Sequence, residues 1–97
     1  MSKLLPARIT FLPESEGGRS NPALPGIRPH LRMRDIFTSA VVHSLGDVRG
    51  FQPGVDYDVV IEILFWDDYA ARFDPSEGVE LYDGSRLIAK GSWTTPE

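Results

Sequence analysis

Apolar and polar side chains alternate along several short segments of the chain. Residues 7 to 11 carry apolar side chains at the odd positions and polar ones at the even positions. The longest such segment covers residues 55 to 65, whose odd positions are Val55, Tyr57, Val59, Ile61, Ile63 and Phe65. A period of two is that of a β-strand with one face in the core and the other in solvent. The pattern therefore predicts an all-β protein.

Turn-forming residues separate these segments. Pro53-Gly54 introduces the long strand, and Asp83-Gly84 lies between two apolar runs at a spacing that favours a hairpin. Residues 13 to 32 are rich in glycine and proline and are predicted to form a long loop without regular structure. Residues 67 to 76 allow a short helical turn that Pro75 would end.

Five or six short strands favour a small closed antiparallel barrel, because closure removes the unpaired edges of a sheet. A two-sheet sandwich is the alternative. Both arrangements predict the same core candidates, which are Ile9, Phe11, Val41, Val59, Ile61, Ile63, Leu81, Leu87 and Trp93.

Length and composition limit the organisation further. The 97 residues, 41% of them hydrophobic, predict one domain over 1–97 with a loose tail at 94–97. The absence of cysteine and of a signal-like apolar stretch predicts an unexported, cytoplasmic protein. No segment approaches the roughly 20 apolar residues that cross a bilayer.

Charge is distributed unevenly between the two halves of the chain. Residues 1 to 49 carry seven basic and four acidic side chains, whereas residues 50 to 97 carry three and ten. The net charge of −4 argues against a general nucleic-acid coat, since nonspecific affinity rests on many phosphate contacts. A local basic face is left open, and the densest cluster consists of Arg19, Arg28, His30, Arg32 and Arg34.

Four motifs in order carry a family resemblance. They are A-R-I-T-F-L-P-E-S-E-G-G-R at 7 to 19, G-I-R-P-H-L at 26 to 31, Q-P-G at 52 to 54 and D-G-S-R at 83 to 86. The set resembles the third, C-terminal domain of bacterial elongation factor Tu, which has an acidic E-G-G-R loop, G-Y-R-P-Q-F, an M-P-G-D strand and an E-G-G-R-T-V-G-A-G hairpin. The order holds over residues 7 to 93.

The resemblance implies a six-stranded closed antiparallel barrel that contacts tRNA and translation proteins. It places Arg19 in the tRNA-facing loop, His30 at the glutamine of G-Y-R-P-Q-F and Gly84 in the hairpin near the tRNA backbone; Arg32 is added from the basic cluster. The chain departs from the family in lacking the G-x-x-x-x-G-K-[ST] phosphate loop, so no GTP binding is expected. The sequence thus favours a stand-alone, non-catalytic module that binds tRNA or a translation-related protein.

An acidic and aromatic insertion from Phe65 to Asp74 has no counterpart in the resemblance, and the segment 66 to 77 is a candidate protein-binding patch. Exposed on the surface, Trp66, Tyr69 and Phe73 would suit a protein interface, as in an adaptor, inhibitor or immunity-type protein. Tucked beneath a short helix, the same rings would cap one end of the barrel. The sequence leaves both interpretations open.

Catalytic and metal sites find little support in the sequence. Ser39, Ser44 and Ser92 lie outside any G-x-S-x-G elbow, and two histidines 13 positions apart without a carboxylate motif are weak indicators of zinc. We therefore expect no catalytic residues, no metal and no cofactor. A hydrolase built from surface carboxylates is the third and weakest alternative.

Overall fold

The chain closes into an antiparallel barrel of six strands. A computed structural model describes residues 1–16 and 22–94. The strands are β1 (Lys3–Phe11), β2 (His30–Met33), β3 (Ile36–Ser44), β4 (Asp56–Ile63), β5 (Val79–Asp83) and β6 (Arg86–Trp93). Their order around the barrel is β1-β4-β3-β2-β5-β6, and β6 returns to pair with β1. This arrangement confirms the predicted fold class.

Short helical pieces lie outside the barrel wall. A 3-10 turn at Glu14–Glu16 follows β1. A four-residue helix, α1 (Trp66–Tyr69), follows β4 and continues into 3-10 turns at Ala70–Arg72 and Pro75–Glu77. Pro75 begins the last of these turns rather than ending a helix. No helix within 1–16 and 22–94 is long and apolar enough to cross a membrane.

Inward-facing apolar side chains of the strands fill the barrel interior, as the alternation in the sequence predicts. Six of the predicted core residues are buried in one cluster: Ile9, Phe11, Val59, Ile61, Ile63 and Leu81. Phe51, which the sequence pattern did not single out, is fully buried and stacks on Phe11 with ring centroids 5.0 Å apart. Burial of these side chains is the main stabilising contribution to the fold.

Two predicted core positions need correction. Leu87 is only partly buried, because a bulge between Leu81 and Tyr82 shifts the β5–β6 register and brings Ile88 into the core instead. Trp93 is partly buried at the end of β6 and packs against the core. Val41 is buried as predicted, although it is not part of the main core cluster.

The predicted strand at residues 55 to 65 is shorter than its pattern. β4 covers only Asp56–Ile63, and the two end positions, Val55 and Phe65, are exposed. Phe65 does not continue the strand, since its backbone adopts the left-handed conformation with φ 58°. The apolar alternation therefore extended one residue before the start of the strand and two residues past its end.

The predicted loop at residues 13 to 32 contains structure that the sequence did not indicate. Its last residues form β2, which pairs with β3 and with β5. Ala23 also forms an isolated bridge with Phe51. A four-residue strand is too short to give a clear alternation, and Pro29 just before it favours a loop interpretation.

Gly91 allows the barrel to close. It pairs with Ile9 across the junction of β1 and β6. A Cβ atom at Gly91 would overlap the carbonyl oxygen of Arg8 and lie 2.7 Å from the Cα of Ile9. Both are backbone atoms that cannot move aside without opening the junction, so only glycine fits here.

Residues 95–97, most of the predicted tail, lie outside the described part of the chain.

Candidate binding groove

A shallow groove lies on the outside of the barrel, between β2, β3, the β5–β6 hairpin and α1. We call it the aromatic groove. Its volume is about 460 Å³. Its lining residues are His30, Phe37, Thr38, Ser39, Phe65, Tyr69 and Gly84. They come from five separate stretches of sequence, so tertiary folding alone assembles the groove.

Two exposed phenylalanines give the groove its apolar character. Phe37 is 51% exposed and Phe65 is 59% exposed. The Phe37 ring packs edge-on against Tyr82 of β5, with centroids 5.2 Å apart. Neither phenylalanine was among the sequence-based site candidates. Phe65 was assigned to the core, and the signal that corrects this assignment is its backbone conformation.

Hydrogen bonds on both sides hold Phe65 in its left-handed conformation. The Leu64 amide donates to the Ser39 carbonyl at 3.1 Å, and the Trp66 amide donates to the Met1 carbonyl at 2.8 Å. The Phe65 carbonyl accepts from the Asp68 amide at 3.0 Å. A bulky residue at positive φ costs about 1–2 kcal/mol relative to a right-handed conformation. The fold sustains this cost and directs the ring into solvent.

His30 and Gly84, two of the residues picked out from the elongation factor resemblance, meet in the aromatic groove. The interpretation of His30 as a loop residue was wrong, since it begins β2 and pairs with Ser39 and Tyr82. Its side chain is exposed on the outer face. Gly84 forms the turn of the predicted hairpin with φ 64°, a conformation that glycine adopts without strain.

The other two candidates do not join them. Arg32 is not a lining residue of the groove, and its guanidinium is ion-paired with Glu80 at 3.2 Å. Hydrogen bonds with Tyr82 and then Glu80 raise its pKa above the usual range. Arg19 lies outside the described residues.

The neighbouring cations are also paired with acids. Arg34 lies 3.9 Å from both Asp74 and Glu77, and Arg72 lies 3.6 Å from Asp35. The pKa of Asp74 is lowered, mainly by hydrogen bonds from the side chain and backbone amide of Ser76 and less by Arg34. The arginines of β2 and its turn are thus largely neutralised by carboxylates.

The aromatic segment after β4 divides between two roles. Trp66 packs edge-on against Phe73 at 5.4 Å, and Phe73 packs against Trp93 at 5.1 Å. All three rings are partly buried against the core, so they cap one end of the barrel. Tyr69 is also partly buried but lines the aromatic groove. The structure therefore supports the capping interpretation for Trp66 and Phe73.

The opposite outer face, on β1 and β4, carries self-paired polar side chains. Arg8 lies 3.3 Å from Asp58, and the Thr10 hydroxyl donates to Asp56. At the β3–β4 boundary, His43 Nε2 lies 2.9 Å from a Glu62 carboxylate oxygen. Hydrogen bonds from His43 and then Ser2 lower the pKa of Glu62.

Comparison with known protein families gives no assignment, since no family model matches the chain. The resemblance to elongation factor Tu stays a prediction. Within residues 1–16 and 22–94, no three histidine or acidic side chains are grouped as metal ligands would be.

Proposed function

We propose that this protein is a non-catalytic module that binds another protein through the aromatic groove. The observation that carries the proposal is the exposed ring of Phe65 on a strained backbone. Strained residues that a fold maintains are concentrated at binding and catalytic sites. More than half of the Phe65 surface stays exposed, so burial of its ring contributes little to the stability of the barrel.

The groove also has the composition of an interaction surface. Phe37, Phe65 and Tyr69 bring aromatic side chains together at the surface, with Tyr82 packed behind Phe37. Aromatic residues are enriched where proteins meet, because each ring offers a large contact area at low conformational cost. The polar rim needed for orientation is supplied by His30 and Ser39.

Charge favours a protein over a nucleic acid as the partner. Arg32 and Arg34, the described cations on β2 and its turn, are ion-paired with carboxylates. The chain as a whole carries a charge of −4. A phosphate backbone would therefore have to displace acids before it gained these contacts, which lowers its affinity.

A matched set of capture experiments tests the proposal. The Phe37→Ala/Phe65→Ala variant removes two exposed rings from the groove. The Leu24→Ala/Leu45→Ala variant removes two side chains of similar exposure, 61% and 54%, that do not line it. We expect one specific protein to be retained by wild type and by the leucine variant and lost by the groove variant. Equal retention by all three proteins would contradict the proposal.

A second proposal keeps the tRNA partner and a link to translation. It is supported by the position of His30 and Gly84 beside rings on which unpaired bases could stack. It predicts that tRNA retards the protein at about 50 mM salt and that Arg19→Ala weakens the effect. No retardation at that salt concentration would contradict the tRNA proposal.

For either partner, the cysteine-free composition leads us to propose a cytoplasmic location.

A further inference from the structure

We infer that the aromatic groove takes up a cationic side chain, an arginine or a lysine, presented by a basic segment of the partner. The inference rests on the proposed function and specifies the chemistry of the ligand. It follows from the kind of rings in the groove and from the charges around it.

The rings supply the attraction. Phe37, Phe65 and Tyr69 line one shallow space, and each carries a negative quadrupole on its faces. A guanidinium or ammonium within about 6 Å of such a ring gains roughly 0.5–2 kcal/mol, more as water is excluded. The protein already contains one contact of this kind, since the Lys3 ammonium lies 6.0 Å from the Trp66 ring centroid.

The charges select a cation over an anion. The described lining contains no lysine or arginine that would repel a cation, and His30 is its only titratable nitrogen base. Asp68 is exposed in α1, directly before Tyr69, which lines the groove. Tyr82, which packs against Phe37, is hydrogen-bonded to Glu80 at 3.0 Å, and Glu80 is itself ion-paired with Arg32, so this pair adds no net positive charge beside the groove.

Long-range electrostatics agree with the local arrangement. The chain as a whole carries a net charge of −4. A basic partner segment would be attracted to a protein of this charge before it docks. A side chain with an aliphatic stem and a charged end would then satisfy both the apolar rings and the acidic surroundings.

The test compares two peptide ligands of nearly the same shape, of which only one is charged. The ¹⁵N-labelled full chain is titrated with a blocked peptide that has one arginine between two leucines, and with the citrulline analogue of that peptide. Citrulline keeps the length and the planar end group of the arginine side chain but has no charge, and one N–H group of arginine is replaced by a carbonyl oxygen. Uridine monophosphate serves as an anionic ligand with a stacking ring. The same titrations are repeated on Phe65→Leu, which keeps an apolar side chain but removes the π face.

We expect saturable amide shifts at His30, Ser39 and Gly84 with the arginine peptide, and a dissociation constant about tenfold lower than with citrulline. Phe65→Leu should remove most of that difference. Equal binding of both peptides at the groove would overturn the cation inference and leave protein binding standing. Shifts located elsewhere, no shift with the arginine peptide, or groove shifts with uridine monophosphate alone would also overturn it.

Discussion

The two outer faces of the barrel use the same kind of strand in different ways. On β1 and β4, outward side chains satisfy one another, as Arg8 does with Asp58 and Thr10 with Asp56. On β2, β3 and the segment after β4, Phe37 and the strained Phe65 are left exposed. The first face pairs most of its polar side chains and exposes one aliphatic residue, Leu4, whereas the second exposes two aromatic rings side by side with Tyr69 in one groove.

This difference is the basis on which we propose that Phe37 and Phe65 serve binding. A surface pair such as Arg8–Asp58 contributes at most about 1 kcal/mol, so its presence only keeps the face soluble and specific in register. An exposed aromatic ring on a strained backbone works against stability, so its presence calls for another explanation. Binding is the explanation that the position of Phe65 supports.

The largest effect is expected where the barrel closes. Gly91→Ala would force a Cβ into the backbone of β1 and should destabilise the fold by more than about 3 kcal/mol, which disrupts both faces together. Gly84→Ala is the matched control. It has open space around it and only its φ of 64° to strain, so it should cost about 1 kcal/mol. Urea denaturation measures both, and equal costs would contradict the closure argument.

Next come the rings that follow β4. Trp66→Ala removes a ring that packs against Phe73 and the core, and we expect a loss of about 2–3 kcal/mol in unfolding free energy. Tyr69→Ala should cost less stability but weaken partner capture at least about tenfold. Thermal denaturation and capture are measured on both variants. A Trp66 variant with unchanged stability would restore the exposed-patch interpretation of the segment.

A smaller effect is expected on the self-paired face. Arg8→Ala/Asp58→Ala should change the unfolding free energy by less than about 1 kcal/mol, because both side chains are exposed and the pair is screened. Capture of the partner should stay at the wild-type level. If this variant loses the partner while the Phe37→Ala/Phe65→Ala variant keeps it, the assignment of the two faces must be reversed.

The smallest effect is expected in the pH dependence of stability at Glu62. Because its hydrogen bonds with His43 and Ser2 lower the pKa of Glu62, they stabilise the fold above the ordinary carboxylate pKa of about 4, and this contribution is lost as the pH falls through the lowered value. Glu62→Gln should therefore be less stable than wild type near neutral pH, with the gap narrowing in acid. Urea denaturation at several pH values checks this, with Glu14→Gln as the control. A gap that widens in acid would contradict the cause given.

The sequence predicted those parts of the fold that a long alternation encodes. β4 could be recognised because its apolar side chains recur at every second position over eight residues. β2 could not, since four residues between Pro29 and a turn carry too little pattern. Phe65 continued the alternation by one further step, but the backbone turned left-handed there. The alternation of apolar residues alone therefore does not show at which residue a strand ends.

The groove itself was only partly predictable. His30, Tyr69 and Gly84 were singled out for different reasons and by different hypotheses, and the structure brings them together. Phe37 was not predicted as a site residue, because an apolar residue in a strand is expected to face the core. Its outward position depends on the register of β3 against β2, which is set by the β2 strand that the sequence did not reveal.

The most direct test of the account is Phe65→Gly, measured for stability and for binding on the same preparation. Glycine adopts positive φ without strain, and the lost ring is mostly exposed. We expect the unfolding free energy to hold or to rise by up to about 1 kcal/mol while partner capture is lost. A variant that captures the partner as wild type does would contradict the central claim that this ring is maintained for binding.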